Sequence, residues 1–193
     1  MKKLIPLVAA LVIGVIAAYA MWEMSAPKME EMGEVTIGGP FALVNQDGKA
    51  VTEADYKGKL ALVYFGFTYC PDICPTDLTN IAYAMVQLGD DAAKVTPIFI
   101  TVDPQRDTVK QLKNYLENFK QPIVGLTGDQ KAIDGAVKAY KVYAQKVPRK
   151  DVNDYTMDHS AYMYLMDKNG KYLTHFVHGT PPAQIVSEIR RRL

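Results

Sequence analysis

The chain has 193 residues, with 22 Lys and Arg against 21 Asp and Glu, a formal net charge of +1. That balance offers no basic stripe for a phosphate backbone, so no nucleic-acid partner is expected. Two cysteines are too few for a fold built on disulfide staples, and the composition is that of an ordinary globular protein.

Lys2 and Lys3 precede an uncharged apolar run from Leu4 to Met21. As a helix this run spans roughly 27 Å, about one hydrocarbon core. The two lysines predict an N-terminus kept in the cytoplasm and an exported remainder. Two readings stand: an uncleaved anchor with Trp22 at the interface, or a signal peptide cut after Ala18-Tyr19-Ala20. Either puts the rest on the periplasmic or other extracytoplasmic face. Residues 1–22 are thus read as the membrane anchor or signal segment. Residues 23–37, polar and bearing Met24, Met29 and Met32, are a juxtamembrane linker. Residues 38–193 are one folded domain.

Phe41 to Val44 reads as a strand, Asn45-Gln46-Asp47-Gly48 as a turn, and Lys49 to Thr52 as its hairpin partner. Leu60 to Phe67 is a dense apolar run too short for a helix, hence a doubly buried central strand. Pro75 suits the first helical position, and Leu78, Ile81, Ala82, Met85 and Leu88 continue with helical spacing. Val95 to Val102 is a second apolar strand, expected to begin near Pro97. Asp107 is expected to cap a helix from about Thr108 to Phe119. Val124 to Leu126 is a short strand, and Asp129 opens a helix to about Tyr140. Residues 154–160 read as a polar loop. Tyr162 to Met166 and Tyr172 to Val177 flank the hairpin turn Asp167-Lys168-Asn169-Gly170. An amphipathic helix runs from Pro181 to the end. This order predicts an α/β sandwich with a mixed sheet and an N-terminal β-hairpin.

Cys70 and Cys74 fall where the central strand ends and a helix begins. Sites gather at the carboxyl ends of strands in such folds. A bridge between them would close a tiny loop and add little stability, so the pair points to chemistry. Cys74, near the helix start, is expected to gain thiolate character from the unpaired N–H groups there. The C-x-x-x-C spacing leaves room to wrap an ion, and thiolates with an imidazole suit a soft metal such as copper. His159 is one of three histidines, and Asp158 beside it could orient its ring. His175 and His178, three apart on a strand, point to opposite faces and cannot jointly chelate. Spacing alone does not bring His159 to the cysteines. Asp72 sits between the cysteines as a turn former or a modulator of the thiols. Asp103 and Arg106 read as a structural loop pair, Met157 as a residue close to His159, Tyr64 and Phe65 as core. Gly66 marks a bulge or a close approach.

The run Tyr64-Phe65-Gly66-Phe67-Thr68-Tyr69-Cys70-Pro71-Asp72-Ile73-Cys74-Pro75 resembles the signature of the Sco (SenC/PrrC) family. Asp103-Pro104-Gln105-Arg106-Asp107-Thr108 and Asp158-His159-Ser160 resemble that family's other two motifs, in the same order. The resemblance implies a thioredoxin-like three-layer sandwich with copper held by Cys70, Cys74 and His159. It implies a metallochaperone for the binuclear copper centre CuA of cytochrome c oxidase. The implied partners are the oxidase's copper-bearing subunit and other copper chaperones or thioredoxin-like reductants. The alternative is a thiol-disulfide oxidoreductase in which Cys70 and Cys74 are the catalytic pair. A peroxidase of related fold would need a dedicated activating cation beside one cysteine, and none is identified.

Overall fold

The structure, a computed structural model, describes residues 12–19, 21–22, 36–149 and 154–193. The chain divides into two compact units, Met1–Val35 and Thr36–Leu193. In the first, residues 12–19 and 21–22 are helical. Among the described residues no helix is long and apolar enough to cross a membrane. The rest of the predicted anchor and the methionine-bearing linker 23–35 lie outside the described residues.

The second unit is the thioredoxin-like sandwich. Its strands are β1 (Ala42–Asn45), β2 (Ala50–Thr52), β3 (Leu60–Gly66), β4 (Val95–Thr101), β5 (Val124–Thr127), β6 (Ala144–Pro148), β7 (Tyr155–His159), β8 (Tyr162–Met166) and β9 (Tyr172–Val177). Its helices are α1 (Ile73–Leu88), α2 (Val109–Leu116), α3 (Gln130–Ala139) and α4 (Pro182–Arg190). Seven strands form one mixed sheet in the order β2-β1-β5-β4-β3-β8-β9. β3, β4 and β5 run parallel, while β1, β8 and β9 pair antiparallel with their neighbours.

β3 is central because its sequence leaves no alternative. All of Leu60–Gly66 is buried, so the run must be covered on both faces. β4 and β8 flank it, with Val63 opposite Ile98 on one side and Tyr164 on the other. The N-terminal hairpin pairs Leu43 with Val51, as the turn residues predict. The hairpin β8–β9 is set by Asp167, whose Oδ1 accepts from the backbone N–H of Asn169 and Lys171, both at 2.8 Å.

Four expectations are corrected. β4 starts at Val95, two residues before Pro97. β5 pairs with β4 only from Ile98 onward, so Pro97 lies where that side is still open and its missing N–H breaks no ladder. α1 starts at Ile73, which makes Pro75 its third residue. The N–H groups of a first turn have no partner within the helix, so proline fits there equally well. Thr108, not Asp107, caps α2, with Oγ1 accepting from the Gln111 N–H at 3.2 Å. Residues 155–159 form a strand rather than a loop: β6 and β7 make a separate two-stranded ribbon.

Candidate metal centre

β3 ends at Gly66, the chain turns through Phe67–Asp72, and α1 begins. This turn puts Cys70 on the rim, half-buried, and Cys74 on the second residue of α1, fully buried. Cys74, Leu78, Ile81, Met85 and Leu88 share the buried stripe of α1. The Cys74 sulfur therefore points inward, against Gly66. A Cβ on Gly66 would stand 2.9 Å from that sulfur and 2.8 Å from Phe99 Cε2. The predicted close approach at Gly66 is the space that Cys74 occupies.

His159 ends β7, and its ring meets the sulfurs. Nε2 lies 3.6 Å from Cys74 Sγ. Nδ1 lies 3.1 Å from the Ser160 carbonyl oxygen, to which it donates. The carbonyl fixes the ring and leaves Nε2 as the nitrogen facing the sulfurs. Asp158 does not orient the ring; it is exposed, one residue before His159 in the strand and so on the other face. Phe67 closes one side of the imidazole in an edge contact, centroids 5.8 Å apart. Met157 and Asp72 line the same open cleft as Cys70 and His159.

Both cysteines are free thiols, but they are electrostatically opposite. The Cys74 thiol donates to the Cys70 sulfur and holds the Cys70 pKa down at about 4. Burial opposes this, while His159 and the backbone N–H groups of Cys74 and Asp72 assist. The Cys74 N–H stands 3.4 Å from Cys70 Sγ. Cys74 itself is pushed well above an ordinary thiol, by its hydrogen bond to Cys70, by burial and by the Cys70 charge. The helix N-terminus thus serves Cys70, not Cys74 as the sequence suggested. Cys74 is aimed into the core, and Cys70 folds back over the open end of α1.

Among the described residues no group of three or more His, Cys, Asp or Glu side chains is arranged to hold a metal ion. The donor set nonetheless fits a soft ion. Metal bonds of about 2.3 Å to sulfur and about 2.0 Å to nitrogen, at about 110–120°, put the two ligand atoms roughly 3.6 Å apart, which is the separation of Cys74 Sγ and His159 Nε2. Two sulfurs and an imidazole select a soft metal over oxygen-loving ones.

The other two histidines pair elsewhere. His175 Nδ1 meets Tyr172 Oη at 2.6 Å. His178 follows β9 and its Nδ1 meets Asp77 Oδ1 at 3.0 Å. Asp77 was not singled out from the sequence, although it is a carboxylate three residues after Cys74 on an otherwise apolar helix face. It is fully buried and also accepts from the Gly179 N–H at 3.0 Å. Asp103 and Arg106 form the expected pair, Nε to Oδ2 2.5 Å. Asp107 is buried and accepts from Thr68 N–H, Thr68 Oγ1 and Thr101 Oγ1 at 3.0, 2.7 and 2.6 Å. It ties the end of β4 to the turn that carries Cys70.

The family model described as SCO1/SenC matches residues 29–193. An SCO2-like protein of Rickettsia felis is 39% identical over 192 residues, which cover 95% of this chain and 94% of that protein. The solved structure of Bradyrhizobium japonicum ScoI with copper bound is 48% identical, with a TM-score of 0.76 over 81% of this chain and 99% of that one. BsSco, described as having a disulfide switch and as a member of the Sco family of cytochrome c oxidase assembly proteins, is 31% identical, with a TM-score of 0.63 over 81% and 93% of the two chains.

Proposed function

The chain belongs to the SCO1/SenC family, and on that premise we propose that it is a copper metallochaperone that takes its cargo on Cys70, Cys74 and His159. The observation that carries this is the meeting of the Cys74 sulfur and His159 Nε2 at 3.6 Å, with the Cys70 thiolate beside them. The copper-bound state of the similar ScoI supports copper as the cargo. Cys70, on the rim beside them, would supply the second sulfur. The Cys74 proton leaves on loading, because the thiolate is the ligand. Cys70 and His159 stand at the edge of an open cleft, so an acceptor's own ligands can replace them one at a time. The acceptor proposed is the copper-bearing subunit of cytochrome c oxidase, at its CuA centre. Support for it is the oxidase-assembly role of the similar BsSco.

Residues 1–22 are proposed to anchor the chain, with 23–37 as a tether and 38–193 outside the cytoplasm. The uncharged run after Lys2 and Lys3 supports this.

The test is anaerobic titration of the reduced full chain with copper. One equivalent is expected to bind, with a thiolate-to-Cu(II) charge-transfer band in the oxidised metal form. His159→Ala lowers affinity on the order of tenfold or more, since even outer partners of a metal ligand are worth that much. Stoichiometric copper on a Cys70→Ser/Cys74→Ser chain overturns the reading.

A second reading rests on the polarised dithiol. Cys70 is exposed enough to attack and ionised, while Cys74 is buried and protonated. The Cys70 thiolate attacks a partner's disulfide and releases one partner thiolate. Cys74 then loses its proton and attacks the Cys70 sulfur, releasing the second. The partner gains two electrons and this chain ends as a Cys70–Cys74 disulfide. His159→Ala separates the readings: thiol exchange survives it, copper affinity does not.

A further inference from the structure

His159 is carried by an element with little hold of its own. The β6–β7 ribbon hydrogen-bonds to no strand of the seven-stranded sheet. Most of β6 is exposed, so the ribbon has only a small apolar face. A lone two-stranded ribbon is marginal in water. Yet a soft-metal ligand must be held to within a few tenths of an ångström. Something else must fix the ribbon.

We propose that Arg106 is a positioning residue that clamps this ribbon, and so His159, to the turn bearing Cys70. The proposal rests on the metal-centre reading above. Arg106 sits in the loop between β4 and α2, and its guanidinium reaches both sides. Toward the ribbon, Nη1 donates to the Tyr155 carbonyl at 3.0 Å and to Asp154 Oδ1 at 3.2 Å. The guanidinium carbon lies 3.8 Å from the centre of the Tyr155 ring. Toward the cysteine turn, the same carbon stands 4.8 Å from the Tyr69 ring and 5.9 Å from that of Phe67. Phe67 in turn packs edge-on to His159.

The clamp is itself braced. Asp103, almost wholly buried, receives Arg106 Nε through one oxygen and the Tyr155 hydroxyl through the other, the latter at 2.9 Å. One carboxylate thus sets the guanidinium and the ribbon tyrosine against each other. Lys146 of β6 adds a second tie, with Nζ 2.6 Å from Gln105 Oε1 and 4.1 Å from the Tyr155 ring centre. A planar fork that both stacks and donates in two directions is a task for arginine, and lysine cannot reproduce it. Tyr155 and His159 occupy one face of β7, four residues apart, so a shift at Tyr155 reaches the ligand along one strand.

The test is a double-mutant cycle on the full chain, with copper affinity, the charge-transfer band and the thermal midpoint read for each variant. Arg106→Gln is expected to weaken copper binding about 10–100-fold, the usual effect of a residue that orients a metal ligand. Arg106→Lys is expected to fall almost as far. In a His159→Ala background Arg106→Gln is expected to change affinity no further, because its effect passes through the imidazole. If Arg106→Gln does not fold, Tyr155→Leu removes the ribbon side of the clamp and carries the same expectations. An unchanged affinity in the folded variant, or an equal loss with and without His159, overturns the clamp. Full copper affinity in His159→Ala alone overturns the metal-centre reading first, and the clamp with it.

Discussion

Cys70 and Cys74 are four residues apart and chemically opposite. Reactivity of a thiol follows its thiolate fraction, so alkylation of the reduced chain is expected at Cys70 alone. Its rate should titrate with a midpoint near pH 4, where the Cys70 thiol loses its proton. A midpoint near 9, as in a free thiol, would contradict this arrangement. The same shift has a sign in stability. The folded pKa of Cys70 is depressed, so its contribution is complete above the unfolded value, near 9.0, and is lost as pH falls toward 4. Stability of the reduced chain therefore rises with pH across that window. Cys74 adds no slope there, because it keeps its proton in both states. Above about 9 it reverses the trend, since only the unfolded chain releases that proton. Gly66 is the matching residue on the strand. Gly66→Ala forces a methyl group onto the Cys74 sulfur and the Phe99 ring. We expect a loss of about 1–3 kcal/mol in chemical denaturation together with weaker copper binding; a Gly66→Ala chain as stable as its parent would mean that the sulfur has room to move. The sequence placed both cysteines at the strand-to-helix junction but assigned the helix-end benefit to the wrong one. Cys74 stands four residues before Leu78 on the apolar stripe of α1, and that spacing was the available sign that its sulfur is buried.

At the scale of elements, the site is a junction of three parts: the β3–α1 turn, the loop after β4, and the β6–β7 ribbon. The first two are joined by Asp107, whose three hydrogen bonds from Thr68 and Thr101 are all buried. Asp107→Ala leaves those donors without a partner, at about 1–3 kcal/mol for each one that cannot be satisfied otherwise. A loss of about 3 kcal/mol is expected in urea unfolding, with the slope unchanged; a loss under about 0.5 kcal/mol would place Asp107 among ordinary surface positions. The main sheet was legible because its strands are apolar runs bounded by turn residues, as Leu60–Gly66 and Tyr162–Met166 illustrate. The ribbon was not, and the reason is physical. Ala144–Pro148 and Tyr155–His159 pair with each other outside the core, so nothing imposes an apolar alternation on them. His159 could therefore be placed only through the resemblance of Asp158-His159-Ser160, never from periodicity. Asp107 was misread as a cap for a related reason. A polar residue before a helix has two uses, and only the fold reveals that Thr108 takes the capping one.

For the whole molecule, the site and the core that supports it belong to the second compact unit. Among the described residues, the whole buried apolar cluster lies between Phe41 and Ile189. The described part of the first unit contributes none, and its Val12, Ile13, Val15, Ile16, Met21 and Trp22 side chains are exposed. Apolar side chains left in water in this way cost the chain solubility unless lipid covers them. Two consequences follow for a chain shortened to Thr36–Leu193. First, it should unfold in one transition at the parent's midpoint, since every described residue of the buried apolar cluster is retained. A fall of more than about 2–4 °C, equivalent to about 1 kcal/mol in a domain of this size, would mean that the first unit braces the fold. Second, it should still bind one copper, yet leave the membrane fraction on expression while the full chain stays there. Retention of the short chain with the membrane would move the anchoring from the run Leu4–Met21 to the domain surface. If both chains are instead free of the membrane and the full chain has lost its first residues, the Ala18-Tyr19-Ala20 cleavage reading replaces the anchor. The proposed copper site is untouched in either case, because Cys70, Cys74 and His159, with Gly66, Asp107 and Arg106 beside them, all lie outside the removed segment.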